Sequence, residues 1–341
     1  MRGAYNRGNS CFLNALLQAL AGCNYVLGFI EDSAVVHEKI DCVITRMLQE
    51  ALVELKPAST KLPPCDFYQF YKVIVSKAFG NSYDQQDADE LFCLLLESIE
   101  NSKAVQKSLN HSSDVLGILL GENDVVSEFY PKNPFGGSFV NQMVCMTCGA
   151  SSSLNITSYR VIPLPLTDIN ANALEDLLSS MTAINVVHDV ECFGFCKKRT
   201  TVNRKCSLGR MPQTLCFHLG RLHFDHTTGR AVKLNHHVKF PLIANFSKYG
   251  FNENAPDLLL SRIPELDMKV SSTVMAFRRR LFELRSVIVH HGGNNGGHFT
   301  AFRCVGANTW YYISDDQVVA VTVAQVLASH AYMLFYERRL L

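Results

Sequence analysis

The sequence predicts an α+β fold in which a helical first third precedes a largely β remainder. Three observations carry this expectation. Apolar residues recur at helical spacing in the first third, short alternating runs bounded by turn residues fill most of the rest, and no internal repeat or low-complexity tract interrupts that order.

From Asn9 onward, Phe12, Ala15, Leu16, Ala19 and Leu20 mark one helical face, with Asn9 or Ser10 as N-cap and Cys11 in the first turn. Val35, Val36, Ile40, Val43, Ile44 and Met47 predict a second helix, and residues 67–75 a third, with the proline-rich stretch 56–66 between them. Ser82-Tyr83-Asp84-Gln85 has capping-box spacing ahead of Leu91, Leu94, Leu95 and Ile99, which predicts a helix over 85–100. Strands are expected at 138–144, 158–164, 186–191 and 214–219, followed by a turn at 224–229. The end of the chain predicts strands at 286–290, 298–305, 310–314, 317–321 and 331–338.

The 341 residues are 48% hydrophobic and 18% charged, a globular composition that excludes intrinsic disorder and collagen-like repeats. Lys and Arg number 32 against 31 Asp and Glu, so no basic field marks a nucleic-acid binder. Asn14, Gln18 and Asn24 interrupt the apolar stretch 12–30, which falls short of the roughly 20 residues of a membrane span. Met1-Arg2 leads into polar residues rather than a secretory signal, so an intracellular protein is expected. Twelve cysteines in such a chain imply reduced thiols, metal ligands or a nucleophile rather than a disulfide framework.

A cysteine taken alone is more often a buried, inert thiol. Cys11 stands apart because Asn6, Gly8, Asn9 and Ser10 form a polar approach to a helix start, where free N–H groups lower a thiol's pKa. Those amides, with the Asn6 side chain, could line an oxyanion hole. Of twelve histidines, His298 is best placed as base, since it begins a strand behind a loop, 292–297, containing four glycines. A third group should orient its imidazole from the neighbouring strand, and Ser314 and Asp315 stand where that strand's apolar run stops. With a four-residue loop at 306–309, Ser314 would sit opposite Ala301 and face away from His298, so contact requires an odd loop length or a bulge. Cys145 and Cys148 have zinc-knuckle spacing, and Cys192 and Cys196 offer a second pair one residue wider. Four thiolates would close a tetrahedral structural zinc site; isolated thiols are the alternative.

These residues fall in blocks that resemble one family. Residues 3–18, Gly-Ala-Tyr-Asn-Arg-Gly-Asn-Ser-Cys-Phe-Leu-Asn-Ala-Leu-Leu-Gln, resemble the cysteine box of the ubiquitin-specific proteases. Residues 289–292, 297–299, 310–318 and 331–336 resemble its histidine box, and 85–92, 211–219, Arg221 and 238–241 match intermediate landmarks. The resemblance implies a papain-like hand spanning 1–341 as one catalytic domain, with a helical thumb over about 1–125, β fingers over about 126–215 and a palm over about 216–341. It implies a thiol-dependent deubiquitinase with no catalytic cofactor, whose partners are ubiquitin, ubiquitin chains and ubiquitinated proteins. Cys11 would attack the carbonyl after ubiquitin's Gly-Gly, His298 would act as base and then acid, and Asn6 would help hold the oxyanion. Gly297 and its loop would cover the ubiquitin tail, Gln86, Asp87 and Glu90 would bind it, and the two carboxylates would pair with its arginines.

Most members carry Asp or Asn where this chain has Ser314. That serine, with His290-His291-Gly292 and Ser-Asp-Asp, looks most like the family's mitochondrial outer-membrane member, a regulator of mitophagy favouring chains linked through ubiquitin's sixth residue. By the same resemblance His291 and Tyr312 are expected to select linkage; for Tyr312, strand packing is the alternative. That member's membrane anchor precedes its cysteine box, whereas ten residues precede Cys11 here, so membrane attachment is expected only through a segment absent from this chain. A general papain-like peptidase is disfavoured, because positions 11 and 298 lie much farther apart than the roughly 130 to 150 residues of that group. A non-catalytic ubiquitin-binding module of the same fold is the competing function, and the intact Cys11 and His298 argue against it.

Overall fold

The computed structural model describes residues 1–339 apart from 32–38, 58–61, 81–83, 110–132, 167–171, 226–228, 252–280, 294–295 and 307. Helical apolar spacing folds the first part into α1 (Cys11–Leu20), α2 (Asn24–Glu31), α3 (Ile40–Glu54), α4 (Tyr68–Ala78) and α5 (Ala88–Leu109). Then come β1 (Gly137–Cys145), β2 (Asn155–Tyr159), β3 (Ile162–Pro165), α6 (Leu174–Thr182), β4 (Asn185–Glu191), β5 (Arg199–Leu208) and β6 (Thr214–Gly220). The chain continues through β7 (Leu222–Asp225), β8 (Arg230–Lys233), β9 (Ile243–Asn245), β10 (Leu281–Gly293), β11 (Gly296–Val305), β12 (Thr309–Ser314), β13 (Gln317–Val321), α7 (Val323–Leu327) and β14 (Ala331–Arg338). The expected α+β class is what forms.

Two sheets organise the β part. A small one has the order β2-β1-β5-β4; a large one has the order β13-β12-β11-β10-β14-β6-β3, with β9 added beside β10. The centre of the large sheet is buried on both faces. Along β14, Met333 and Phe335 enter a core shared with Phe12, Leu16, Phe92 and Phe135, while Leu334 and Tyr336 enter a second core with Phe217, Phe246 and Phe282. Burial on both sides explains why residues 331–336 read as a continuous apolar run rather than an alternating one.

Some expected boundaries shift. The strand expected over 158–164 is two strands, β2 in the small sheet and β3 in the large one, because Tyr159 packs on Phe139 while Ile162 and Leu164 belong to the second core. Arg160 lies between them and pairs with Glu100. Helix α5 starts at Ala88 rather than Gln85: Asp87 caps it, its Oδ1 accepting the Asp89 amide at 2.7 Å. Ser82, Tyr83, Val35 and Val36 lie outside the described residues.

Helix α1 is buried along its whole length. Its C-terminal carbonyls, which have no partners inside the helix, are taken by the large sheet. Arg303 on β11 donates from Nη2 to Ala21 O at 2.7 Å and from Nη1 to the Gln18 side chain at 3.1 Å, and Ser286 on β10 donates to Ala19 O at 2.9 Å. These bonds fix α1 on β10 and β11, and so place its first residue, Cys11, near the start of β11. Among the described residues no single helix is long and apolar enough to cross a membrane.

Candidate active site

Cys11 opens α1 and is 3% exposed. Ser10 precedes it as N-cap but makes no capping bond to the helix; its hydroxyl instead meets Asn6 Oδ1 at 3.2 Å, and the same oxygen accepts the Ser10 amide. The helix start is thus left with amides facing the sulfur. Burial pushes the Cys11 thiol up, against which the Phe299 amide, the Gln85 side-chain amide and the Phe12 amide pull down, while the Asp315 carboxylate adds to the rise. The lowered thiol expected at a helix start is therefore not what forms: desolvation of a nearly enclosed sulfur outweighs the amides.

The Phe299 amide at Cys11 places the sulfur beside the residue that follows His298. His298 Nε2 lies 2.9 Å from Ser314 Oγ and 3.9 Å from Asp315 Oδ2. The odd loop length required for that contact is present. Val305 pairs with Thr309 across three residues, 306–308, so Ala301 faces Ile313 and Ser314 turns to the side of His298. Asp315 begins the two-residue turn between β12 and β13 with φ +51, a left-handed conformation that Asp tolerates. Its Oδ2 accepts from Asn6 Nδ2 at 2.9 Å and its Oδ1 from Asn14 Nδ2 at 2.8 Å. The Asp315 carbonyl accepts the Ala4 amide at 2.9 Å, and a Cβ on Gly3 would come within 2.4 Å of that carbonyl oxygen. Only glycine at position 3 lets the N-terminal segment pass this close to the turn.

The geometry brings Cys11, His298, Ser314, Asp315 and Asn6 into one contiguous set. It also adds Gln85, which the sequence analysis passed over in favour of its neighbour. Gln85 Nε2 donates to Cys11 Sγ at 3.3 Å and its Oε1 accepts the Gly297 amide at 2.7 Å, so one side chain ties the nucleophile candidate to the glycine loop. The signal was there in the pair Gln85-Gln86 just ahead of α5, a segment in which an amide can offer donor and acceptor at once.

The remaining candidates divide. Among the described residues Gln86 bonds locally, to Asp84 O at 3.1 Å. Asp87 is engaged twice, by the first turn of α5 and by the Tyr332 hydroxyl, while Glu90 is exposed on the first turn. Gly297 is close-packed on His290, leaving no room for a Cβ. His291 pairs across the strands with His298 and reaches Thr300 Oγ1 at 3.0 Å. Tyr312 packs on Phe302 and shares the lining of one cavity with His291. Asn294 and Asn295 of the glycine loop lie outside the described residues.

His290 stacks on Phe299 at 4.4 Å, and Lys233 Nζ stands 3.1 Å from its Nδ1. Burial, then the Lys233 charge, hold His290 down at about 4, and burial lowers His291 and His330 as well. In the unfolded chain these imidazoles regain their ordinary value near 6.5 and bind protons that the folded chain refuses. Stability from this source is therefore complete above about pH 6.5 and is lost as pH falls toward 4. The thermal midpoint should fall through that window, and His290→Phe, which keeps the stack, should flatten part of the fall; an unchanged slope in that variant would show that His290 titrates freely.

The four candidate metal ligands also converge. Cys145 ends β1 and Cys192 follows β4; because β5 pairs with both β1 and β4, the two turns carrying Cys148 and Cys196 meet at one end of the small sheet. All four sulfurs lie within 4.8 Å of one another, with 3.9 Å between Cys145 and Cys196 and 3.6 Å between Cys148 and Cys192. Four thiolates around zinc stand about 3.8 Å apart when each Zn–S bond is about 2.3 Å, so the donor set and its spacing could hold such an ion. The Ala150 amide and its neighbours hold Cys148 down at about 6, whereas the hydrogen bond with Cys148 and the other crowded sulfurs push Cys196 up to about 12. A bound cation would relieve that crowding.

The sequence profile of the family described as ubiquitin carboxyl-terminal hydrolase matches residues 2–336. Human ubiquitin carboxyl-terminal hydrolase 30 is 25% identical over an alignment covering 98% of this chain and 84% of that protein. Mouse ubiquitin carboxyl-terminal hydrolase 3 is 26% identical over 99% of this chain and 68% of that protein. Among solved structures, Ubp8 in the SAGA DUB module bound to monoubiquitin superposes with a TM-score of 0.76 at 20% identity, covering all of this chain and 70% of that one. The same module bound to ubiquitin aldehyde also gives 0.76, at 21% identity over 100% and 70% of the two chains. The fold is shared with those structures, and the match from residue 2 to residue 336 takes in every residue of the Cys11 and His298 site: the chain belongs to the ubiquitin carboxyl-terminal hydrolase family.

Proposed function

We propose that this cysteine-type deubiquitinase hydrolyses the isopeptide bond after ubiquitin's C-terminal Gly-Gly, with Cys11 as nucleophile and His298 as base and then acid. The observation that carries the assignment is the placement of Cys11 Sγ against the Phe299 amide, next to a histidine whose Nε2 is held by Ser314. With Nε2 occupied there, Nδ1 is the ring nitrogen left for the thiol. Because burial raises the Cys11 thiol, the ion pair forms as the substrate arrives: His298 takes the thiol proton and Cys11 attacks the glycyl carbonyl. The Gln85 amide and the second N–H of Asn6, whose first is fixed by Asp315, serve the developing oxyanion. His298 then passes its proton to the departing lysine amine, and water, activated by the same imidazole, hydrolyses the thioester.

Ubiquitin bearing a C-terminal electrophile tests the assignment. A covalent adduct at Cys11, absent after Cys11→Ala, is expected; ubiquitin binding without an adduct would favour the non-catalytic module. Ser314→Ala should lower kcat about tenfold by freeing the imidazole, and Ser314→Asp should retain turnover, because either oxygen accepts the Nε2 proton. A fully active Ser314→Ala enzyme would remove Ser314 from the mechanism.

Cys145, Cys148, Cys192 and Cys196 would hold a structural zinc that ties the two turns together and takes no part in the reaction. One equivalent of zinc per chain is expected by elemental analysis, falling below a tenth of that in Cys148→Ser. The finer assignment, to ubiquitin conjugates on the mitochondrial outer membrane and to restraint of mitophagy, with His291 and Tyr312 choosing linkage, is supported by the 25% identity to hydrolase 30 and by the Ser314-Asp315-Asp316 sequence. Removal of the protein from its cell should then raise outer-membrane ubiquitin conjugates; unchanged levels would count against that site of action.

A further inference from the structure

Strand β10 outruns its neighbour β14: their pairing ends at Val289 and Ala331, whereas β10 and β11 stay paired as far as Gly293 and Gly296. The carbonyls of His290 and Gly292, two residues apart, point to the edge that β14 no longer pairs, and each needs another partner. One side chain takes both. Lys233, the last residue of β8, donates from Nζ to His290 O and to Gly292 O, each at 2.8 Å, and its Nζ lies 3.1 Å from His290 Nδ1. Three acceptors match the three N–H groups of an ammonium, and none of them is a carboxylate. Burial, then the Arg221 charge, lower the Lys233 pKa, so these bonds are made at a desolvation cost that a solvated surface lysine avoids.

The lysine is itself held at its base. Leu234, the next residue, donates its amide to Arg221 O at 2.8 Å and accepts from Arg221 Nη1 at 2.9 Å. Arg221 is 4% exposed and also donates to Ala331 O on β14 at 2.8 Å. The β7–β8 ribbon forms a two-stranded sheet of its own, so its end is fixed to β14 through Arg221 and to β10 through Lys233.

What Lys233 grips stands across the hairpin from the reacting groups. His290 pairs with Phe299, His291 with His298 and Gly292 with Gly297. The two gripped residues thus face the two that flank His298. The Phe299 amide lies at Cys11 Sγ, and the Gly297 amide is bonded to Gln85 at 2.7 Å. His290 also stacks on Phe299 at 4.4 Å and packs so closely on Gly297 that no Cβ fits there. A shift of the β10 edge therefore carries both neighbours of His298 with it.

We propose that Lys233 is a positioning residue for the hydrolysis: it holds the β10 edge at His290 and Gly292, and through Phe299 and Gly297 keeps His298 aligned with Cys11 and Gln85. It touches neither the reacting atoms nor the substrate. The role rests on the reading of Cys11 as nucleophile and His298 as base.

Lys233→Met keeps the length of the side chain and removes its donors. The test measures kcat and KM with a ubiquitin C-terminal fluorogenic amide, per Cys11 site titrated by a ubiquitin electrophile, so that unfolded chains do not count. Amide hydrogen exchange of the peptide 290–299 is followed by mass spectrometry in the same proteins. Lys233→Met should lower kcat about tenfold or more with KM within about threefold, since a misplacement near 1 Å can cost about 10²-fold. Exchange over 290–299 should quicken at least about tenfold, as expected when charge-assisted bonds are lost, while 331–336 on β14 stays as protected as in the parent. Lys248→Met, which removes a lysine paired with Glu175 at 3.2 Å, should match the parent in every measurement. A kcat within twofold of the parent would overturn the proposal, as would unchanged exchange over 290–299. Faster exchange spread equally to 331–336 would make Lys233 a general support of the fold, and a raised KM at parental kcat would make it a ubiquitin contact; either overturns the positioning role. Turnover surviving in Cys11→Ala would overturn the nucleophile assignment beneath it, whereas loss there beside a parental Lys233→Met overturns the role of Lys233 alone.

Discussion

Cys11→Ala should lower the hydrolysis of a ubiquitin C-terminal fluorogenic amide by at least about 10⁴-fold, the scale seen when the nucleophile of a covalent mechanism is removed. The sulfur is enclosed by the Phe299 and Phe12 amides and the Gln85 side chain, and none of these can form the thioester. The variant should still bind ubiquitin, because the alanine methyl fits a site that already buries the thiol. His298→Ala should fall by a comparable factor rather than an additive one, since nucleophile and base act as a unit. The comparison needs kcat/KM for both variants and the double variant, with a free peptide as control substrate. Residual turnover within tenfold of the parent in Cys11→Ala would move the nucleophile elsewhere.

Asp315→Asn should cost about 10²-fold in kcat with little change in KM. The carboxylate is fixed by Asn6 at 2.9 Å and by Asn14 at 2.8 Å, and it lies 3.9 Å from His298 Nε2. An amide in its place keeps the shape and tolerates the positive φ, but it can no longer accept from both asparagines or supply negative charge to the imidazolium that forms in the reaction. Loss of a carboxylate bonded directly to a catalytic histidine costs about 10⁴ in a serine protease; here Ser314 makes the direct contact, so the penalty is smaller. A kcat within twofold of the parent would reduce Asp315 to a support for the turn.

How far the sequence reached is clearest at particular residues. Cys11 at a helix start and His298 at a strand start were legible because both are local events: apolar spacing fixes the element, and capping or glycine residues fix its end. The direction of the Cys11 thiol's pKa was not legible, since burial by β11 and the neighbouring turn is a property of the packed chain. Gln85 was missed for the same reason, its partners being 74 and 212 positions away. The capping role of Asp87 was hidden behind the stronger local capping signal upstream of it.

The two remaining cases separate what each level determines. For Ser314 the sequence stated the condition for contact, an odd loop, and the fold met it with three residues at 306–308. For the cysteines, spacing gave two pairs, but only the pairing of β1 and β4 with β5 brought all four sulfurs within 4.8 Å. By itself the sequence determined the α+β order and the elements on which the candidate residues Cys11 and His298 stand, because backbone periodicity and short-range sterics act within a few residues. The tertiary structure alone decided which distant side chains share a hydrogen bond and which thiol is desolvated, because those depend on loop lengths and close approaches between segments hundreds of residues apart.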